Sequence, residues 1–367
     1  MRKRIRSSPW AKIFHRSLAT VTRSALKTGT RAVKSAVKRA IKTAVVKNKP
    51  PPGAGAWSPG VAMGASGARR YRLYRPPGVK FGERLPLIVM LHGCGQDANA
   101  FATSTRMNRI AQRERFLVLY PEQDRLANPQ GCWNWFDTAS GRAYGEAALI
   151  MQAIDQVCLL HPVDATRVAI AGLSAGASMA ALMVTLQPAR FCALLMHSGI
   201  APGTADSTLS ALRAMRGRRP TAALATTPAA MAGNWPPLLV IQGTADTVVD
   251  PSNGTAAAQA WATAAGAVAG PPRTVQRGQR RAMTVTDYRC AGSKGQPRRT
   301  VASLVLVAGL GHAWSGGAAG QPFSDATGPD ASRLLWAFAV RQFRENLPTA
   351  AATPSRGALP RLAKPRL

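Results

Sequence analysis

The 367 residues, 38.7 kDa in mass, are 46% hydrophobic and 17% charged, which supplies the core of one large domain or two ordinary ones and excludes a fully disordered chain. Lys and Arg number 48 against 16 Asp and Glu, a formal charge of +32, yet every carboxylate lies between Glu83 and Glu345 and both ends are purely basic. Residues 1–49 hold fifteen of the basic groups, whereas residues 70–346 keep a net charge of only +12, so the excess belongs to an arm rather than to the body of the chain.

Residues 1–49 are expected to form a basic amphipathic arm. Over 10–47 the apolar Val33, Ala36, Val37, Ala40, Ile41, Ala44 and Val45 recur at helical spacing beside Lys34, Lys38 and Lys42, with Gly29 as an interruption. Such a segment suits an anionic surface: a phospholipid-bearing granule, a membrane or nucleic acid. The alternative is a solvated extension with no partner. No run reaches the ~18 apolar residues of a bilayer span, and neither a secretory apolar stretch nor a twin-arginine pair follows the basic start. The expectation is therefore a cytoplasmic, granule-associated protein, with an extracellular one as the alternative. No obligate protein partner is called for.

Pro50-Pro51-Pro52-Gly53 and the Gly/Ala/Ser-rich run after it predict a linker over 50–69, with the folded domain over 70–346 and a basic tail over 347–367. Within the domain, strands are predicted at Leu85–Leu91, Phe116–Tyr120, Arg167–Ala171, Cys192–His197, Pro237–Gln242 and Thr300–Val307. Helices are predicted at Ala98–Arg113, Ala143–Leu160, Ala175–Leu186, Thr255–Ala265 and Asp330–Glu345. This alternation specifies an α/β fold, a mostly parallel sheet covered on both faces. Residues 202–236 show no clear period and read as an inserted loop or cap.

Gly172-Leu173-Ser174-Ala175-Gly176 lies between the apolar run Val168–Ala171 and a helical stretch, the strand–turn–helix setting of a nucleophile elbow. A serine needs a general base, and of five histidines His312 sits in a loop just beyond a strand, behind Gly309-Leu310-Gly311. His15 belongs to the arm, His161 precedes Pro162 at a helix end and His197 ends a strand. The base needs a carboxylate. Asp246, directly after the strand ending at Gln242, is preferred to Asp250, which reads as a turn or cap before the next helix. The order Ser174, Asp246, His312 is that of an α/β-hydrolase triad. Ala175 supplies one backbone N–H for an oxyanion, and Leu91-His92-Gly93-Cys94-Gly95-Gln96 offers the second at Cys94, which leaves His92 structural. Cys94, Cys132, Cys158, Cys192 and Cys290 are too few and scattered for a disulfide scaffold and contain no C-x-x-C pair, so neither metal nor cofactor is expected.

His92-Gly93-Cys94-Gly95-Gln96, Gly131-Cys132-Trp133-Asn134-Trp135-Phe136, Gly172–Gly176 and Gly311-His312-Ala313-Trp314 together resemble the polyhydroxybutyrate depolymerase family of esterases, relatives of feruloyl and acetylxylan esterases, over about residues 71–345. The resemblance implies an α/β-hydrolase fold, a Ser174–Asp246–His312 triad, carboxylic-ester substrates, and a Cys94–Cys132 pair beside the oxyanion loop, either as a disulfide or as two buried thiols. Trp133 and Trp135 would line the acyl or alcohol pocket, or simply pack, and Trp314 would form a cleft wall. Two departures stand out: the acid loop begins at Gln242 where relatives often have a His-Gly-Asp opening, and the substrate-binding module of secreted polymer depolymerases is not seen, which argues away from crystalline polymer. The expected function is a serine esterase acting on polyhydroxybutyrate-type oligomers or polymer. A feruloyl or acetylxylan-type carbohydrate esterase is the alternative, and a non-catalytic granule- or nucleic-acid-binding protein on a hydrolase scaffold is the alternative from another class.

Overall fold

The computed structural model describes residues 51, 53–218, 235–291 and 299–345; the predicted arm and tail lie outside the described residues. An eleven-stranded sheet runs through the molecule. Its strands are β1 (Ala56–Gly64), β2 (Gly67–Arg75), β3 (Leu85–Leu91), β4 (Leu117–Pro121), β5 (Val163–Leu173), β6 (Ala193–His197), β7 (Leu238–Gly243), β8 (Val268–Ala269), β9 (Arg273–Val275), β10 (Met283–Arg289) and β11 (Thr300–Val307). The order is β1-β2-β4-β3-β5-β6-β7-β11-β10-β8, with β9 also on β10. The six central strands, β4 to β11 in that order, are parallel, and the antiparallel strands sit at the two edges. A separate small pair is formed by β12 (Trp314–Ser315) and β13 (Ser324–Asp325).

The helices are α1 (Ala98–Thr105), α2 (Met107–Glu114), α3 (Arg142–Leu160), α4 (Ala175–Leu186), α5 (Thr208–Met215), α6 (Ser252–Ala264) and α7 (Ala331–Glu345). Strand β3 shows why both faces need cover: all seven residues are buried. Leu85, Leu87, Val89 and Leu91 face the cluster built with α3, α4 and α6, while Ile88 and Met90 face the one built with α1, α2 and α7. Because the central strands are parallel, the carboxyl ends of β3, β5, β6, β7 and β11 share one edge, and Cys94, Ser174, Asp246 and His312 each follow one of them.

Three expectations need correction. The stretch expected as a linker is a strand: β1 pairs with β2 from Ala56↔Arg75 to Gly64↔Gly67 around the two-residue turn Ala65-Ser66. Its glycines are structural, since a Cβ at Gly60 would stand 2.1 Å from Tyr71 Cζ. The domain therefore begins ahead of Arg70. The helix predicted over Ala98–Arg113 is two helices, broken at Arg106 (φ 55°), whose guanidinium reaches across to the carbonyl of Gly316 at 2.5 Å. The segment expected as an aperiodic insertion contains α5, started by a reciprocal cap in which Ser207 and Ser210 each bond the other's backbone N–H; residues 219–234 lie outside the described residues. Strand β10 has no counterpart in the sequence expectation either. Among the described residues no helix is long and apolar enough to cross a membrane.

If β1 belongs to the fold, a chain starting at residue 53 melts like the full-length protein, and one starting at residue 70 melts lower by roughly 5 °C or more or is insoluble. Differential scanning calorimetry of the two decides it; equal melting temperatures would make the hairpin dispensable.

Candidate active site

Ser174 stands between β5 and α4 with φ 56° and ψ −123°, a conformation disfavoured for any residue with a side chain. The turn closes only because its flanks lack side chains. A Cβ at Gly172 would lie 2.3 Å from the Gly176 carbonyl carbon, and one at Gly176 would lie 2.2 Å from the Leu91 carbonyl oxygen. The Ser174 N–H donates to the His197 carbonyl at 2.9 Å, which fixes the turn to the end of β6.

His312 and Asp246 meet from adjacent strand ends, with His312 Nδ1 2.8 Å from Asp246 Oδ2. Asp246 Oδ1 accepts the N–H groups of Val248 and Val249, each at 2.9 Å, and Gln242 Nε2 donates to Oδ2 at 3.2 Å. Gln242, the departure noted in the acid loop, thus serves as a donor to the carboxylate. Burial alone would raise the Asp246 carboxyl, but the hydrogen bond and charge of His312 and the two backbone donors hold it below the usual carboxylate range. Asp250 does not meet His312. Its Oδ1 accepts the Ser252 N–H and hydroxyl at the start of α6, and its own N–H holds the Met215 carbonyl at 2.8 Å.

A narrow cleft opens over Ser174 and is lined by Cys94, Trp135, Ala175, Ser178, Ser198, Ile200, Met215 and Val249. Cys94 and Ala175 flank Ser174 there. In the loop around Cys94 the neighbouring N–H groups already have partners: Gly93 donates to Gln96 Oε1, Gly95 to the Gln130 carbonyl and Gln96 to the Gly93 carbonyl. A disulfide joins Cys94 to Cys132 and ties this loop to the Gly131–Phe136 segment. Of the three tryptophans only Trp135 lines the cleft. Trp133 is fully buried, gives its N–H to the His92 carbonyl at 3.0 Å and carries Arg69 over its ring, and Trp314 is fully buried with its N–H on Ser332. The aliphatic walls Ile200, Met215 and Val249 carry no motif of their own and were not legible in the sequence.

Behind the Gly131–Phe136 segment, Glu146 of α3 is buried and accepts from the Asn134 N–H, Asn134 Nδ2 and Gln123 Nε2 at 2.9, 2.6 and 2.7 Å. Arg69 adds a donor to Gln123 Oε1 and, at 3.0 Å, to the Glu122 carbonyl. Two histidines are buried and neutral. Burial pushes His92 down to about 4, and burial together with the nearby His312 pushes His197 down to about 3. His92 Nε2 accepts the Gln123 N–H at 3.1 Å while Nδ1 donates to the Gly93 carbonyl at 2.9 Å, a structural role.

The unfolded chain binds protons on these two imidazoles below pH 6.5 and the native one does not. Stability should therefore fall as pH drops from 6.5 towards 4, with a slope approaching about 2.7 kcal/mol per pH unit, because two protons are taken up on unfolding. Urea midpoints measured between pH 7.5 and 4.5 check this; a flat profile above pH 5 would contradict it.

A family model described as esterase PHB depolymerase matches residues 69–280, which include Ser174 and Asp246. Among curated proteins, poly(3-hydroxyalkanoate) depolymerase C of Paucimonas lemoignei is 33% identical over 180 residues, 46% of this chain and 42% of that protein. Feruloyl esterase B of Neurospora crassa is 30% identical over 143 residues, 38% of this chain and 48% of that protein, so the chain spans less than half the length of either relative. Among solved structures, an acetyl xylan esterase from Aspergillus awamori superposes with a TM-score of 0.51 at 19% identity, over 70% of this chain and 94% of that one. One of two fungal esterases from Rhizomucor miehei superposes with a TM-score of 0.55 at 14% identity, over 89% and 96%. These likenesses identify the fold as that of the α/β-hydrolases.

Proposed function

This chain belongs to the esterase PHB depolymerase family, and from that membership together with the geometry around Ser174 we propose that it hydrolyses carboxylic esters through an acyl-enzyme. The observation that carries the proposal is the 2.8 Å His312–Asp246 pair, formed at the same sheet edge as a serine held at φ 56°. Ser174 Oγ attacks the ester carbonyl and passes its proton to His312 Nε2. Asp246 keeps the Nδ1–H tautomer in place and stabilises the imidazolium. The Cys94 and Ala175 N–H groups take the negative charge that develops on the carbonyl oxygen. His312 then protonates the leaving alkoxide. Water, activated by the same imidazole, releases the acid.

The short aliphatic walls Ile200, Met215 and Val249, beside Trp135, suit a small acyl group. Hydroxyalkanoate esters of the polyhydroxybutyrate type are the preferred substrates, in line with the name of the Paucimonas lemoignei relative. A short acyl ester of a carbohydrate is the second reading, favoured by the likeness over most of the Aspergillus awamori acetyl xylan esterase. Turnover of hydroxybutyrate dimers and trimers, acetylxylan and methyl ferulate, measured side by side, separates them. The first reading expects the hydroxybutyrate oligomers to lead.

Ser174→Ala should abolish hydrolysis of p-nitrophenyl butyrate, and Asp246→Asn should lower kcat by about 10³- to 10⁴-fold, the size of effect expected when the base loses its orienting carboxylate. Asp250→Asn should stay within about twofold, since among the described residues Asp250 bonds the turn into α6 and the end of α5. Equal inactivity of wild type and Ser174→Ala across a panel of esters would favour the non-catalytic scaffold instead.

Residues 1–49, with fifteen basic groups and no acidic one, carry the second part of the proposal: they dock the enzyme on an anionic surface. Their removal should leave turnover of a soluble ester unchanged while binding to anionic liposomes falls sharply and loses its salt dependence. Parallel loss of both, measured by vesicle sedimentation and esterase assay, would contradict the separation.

A further inference from the structure

One buried side chain joins the two halves of the site without lining the cleft. His197 ends β6, and its carbonyl accepts the Ser174 N–H at 2.9 Å. Its ring stacks on Trp314 with centroids 5.1 Å apart and an interplanar angle of 27°. The far nitrogen, Nε2, lies 3.1 Å from the backbone N–H of Ser315, three residues beyond His312. Nδ1 lies 3.2 Å from Ser198 Oγ. A backbone N–H can only donate, so Nε2 must carry the lone pair and Nδ1 the proton, which it gives to the Ser198 hydroxyl. His197 and Ser315 are both fully buried, so an N–H left unpaired there finds no water.

We infer that His197 is a positioning residue: its neutral imidazole, in the Nδ1–H tautomer, clamps the His312-bearing loop onto the strand end that also anchors Ser174, and so sets the approach of the base to the nucleophile. The loop from Gly309 to Ser315 leaves β11; the Asp246 pair holds it at His312, the β12–β13 pairing and the Ser315 hydroxyl on the Pro329 carbonyl hold its far end, and Nε2 of His197 is the tie that joins that end to β6. Without the tie to His197 the ring of His312 is still bonded to Asp246 and β12 still pairs with β13, but the backbone that carries His312 loses its direct link to the strand end that anchors Ser174 and can shift relative to it. A displacement of that kind leaves substrate contacts in place and reduces the fraction of bound complexes in which Nε2 of His312 reaches the serine proton. The effect on turnover rests on the esterase reading above; the clamp itself does not.

The test compares His197→Phe, which keeps a ring against Trp314 but has no acceptor, with His197→Gln, whose side-chain oxygen reaches about as far as Nε2. On p-nitrophenyl butyrate, His197→Phe should lose at least about tenfold in kcat with KM within about twofold, and His197→Gln should recover most of the loss. A merely space-filling role predicts the reverse order, so wild-type kcat in His197→Phe, or equal impairment of both variants, would overturn the inference. A readout without substrate accompanies the assay. In the wild type the Ser315 amide hydrogen should exchange slowly and the His312 Nδ1 proton should give a sharp downfield NMR signal; in His197→Phe exchange should quicken and the signal broaden. If His197→Phe does not fold, the wild type still decides the matter: a Ser315 amide that exchanges as fast as an exposed loop would overturn the clamp, and a protected one beside a His197 ring protonated at Nδ1 supports it. Should the wild type hydrolyse no ester at all, the esterase reading fails while the exchange and NMR measurements still judge the clamp.

Discussion

The left-handed backbone at Ser174 is the constraint on which the rest depends. It places a hydroxyl above the carboxyl edge of the sheet, and it is tolerated only because Gly172 and Gly176 allow α4 to rise directly against the end of β3. The close approach of Gly176 to the Leu91 carbonyl brings the loop starting at His92 beside the serine. Parallel order does the remainder: β6, β7 and β11 follow β5 across the sheet, so their carboxyl ends deliver His197, Asp246 and His312 in sequence on one side of Ser174, while β3 delivers Cys94 on the other. Cys94, Ser174, His197, Asp246 and His312 each lie within a few residues of a buried strand end.

Strain at the serine is held by what surrounds it. On one side the disulfide between Cys94 and Cys132, and behind it the buried Glu146 with its donors from Asn134 and Gln123, keep the loop walls from relaxing away from Ser174. On the other side Asp246 is fixed by Val248, Val249 and Gln242 before it ever meets His312. A carboxylate that already accepts three donors cannot swing, and the His312 imidazole bonded to it inherits that rigidity.

Strand ends and special turns leave local marks in the sequence, which is why Ser174, Asp246 and His312 could be picked out from it. The all-apolar Leu85–Leu91 and the glycines bracketing Ser174 each report a backbone demand at their own position. Where the demand comes from elsewhere in the fold, the local signal misleads. Gly60 and Gly64 read as linker because the Tyr71 ring that covers Gly60 belongs to the next strand. Arg106 looks like one more helical residue until its bond to Gly316, 210 positions away, is seen. Trp133 and Trp314 have motif neighbours at the site, yet their N–H partners, the His92 carbonyl and Ser332, draw them into the interior. Strand β10 alternates Met283 and Val285 with Thr284 and Thr286 and then puts Asp287 at the next inward position, and what defines it is pairing with β11, including the Ser303 hydroxyl on Asp287 at 2.6 Å.

The most direct test of the central claim is to trap the intermediate. Wild-type protein mixed with p-nitrophenyl butyrate and quenched in acid within the first turnovers should show, by intact mass and peptide mapping, one butyryl group per chain on Ser174, formed in step with a burst of p-nitrophenol. Steady hydrolysis with no label on Ser174, or a label of equal yield on another residue, would contradict the account.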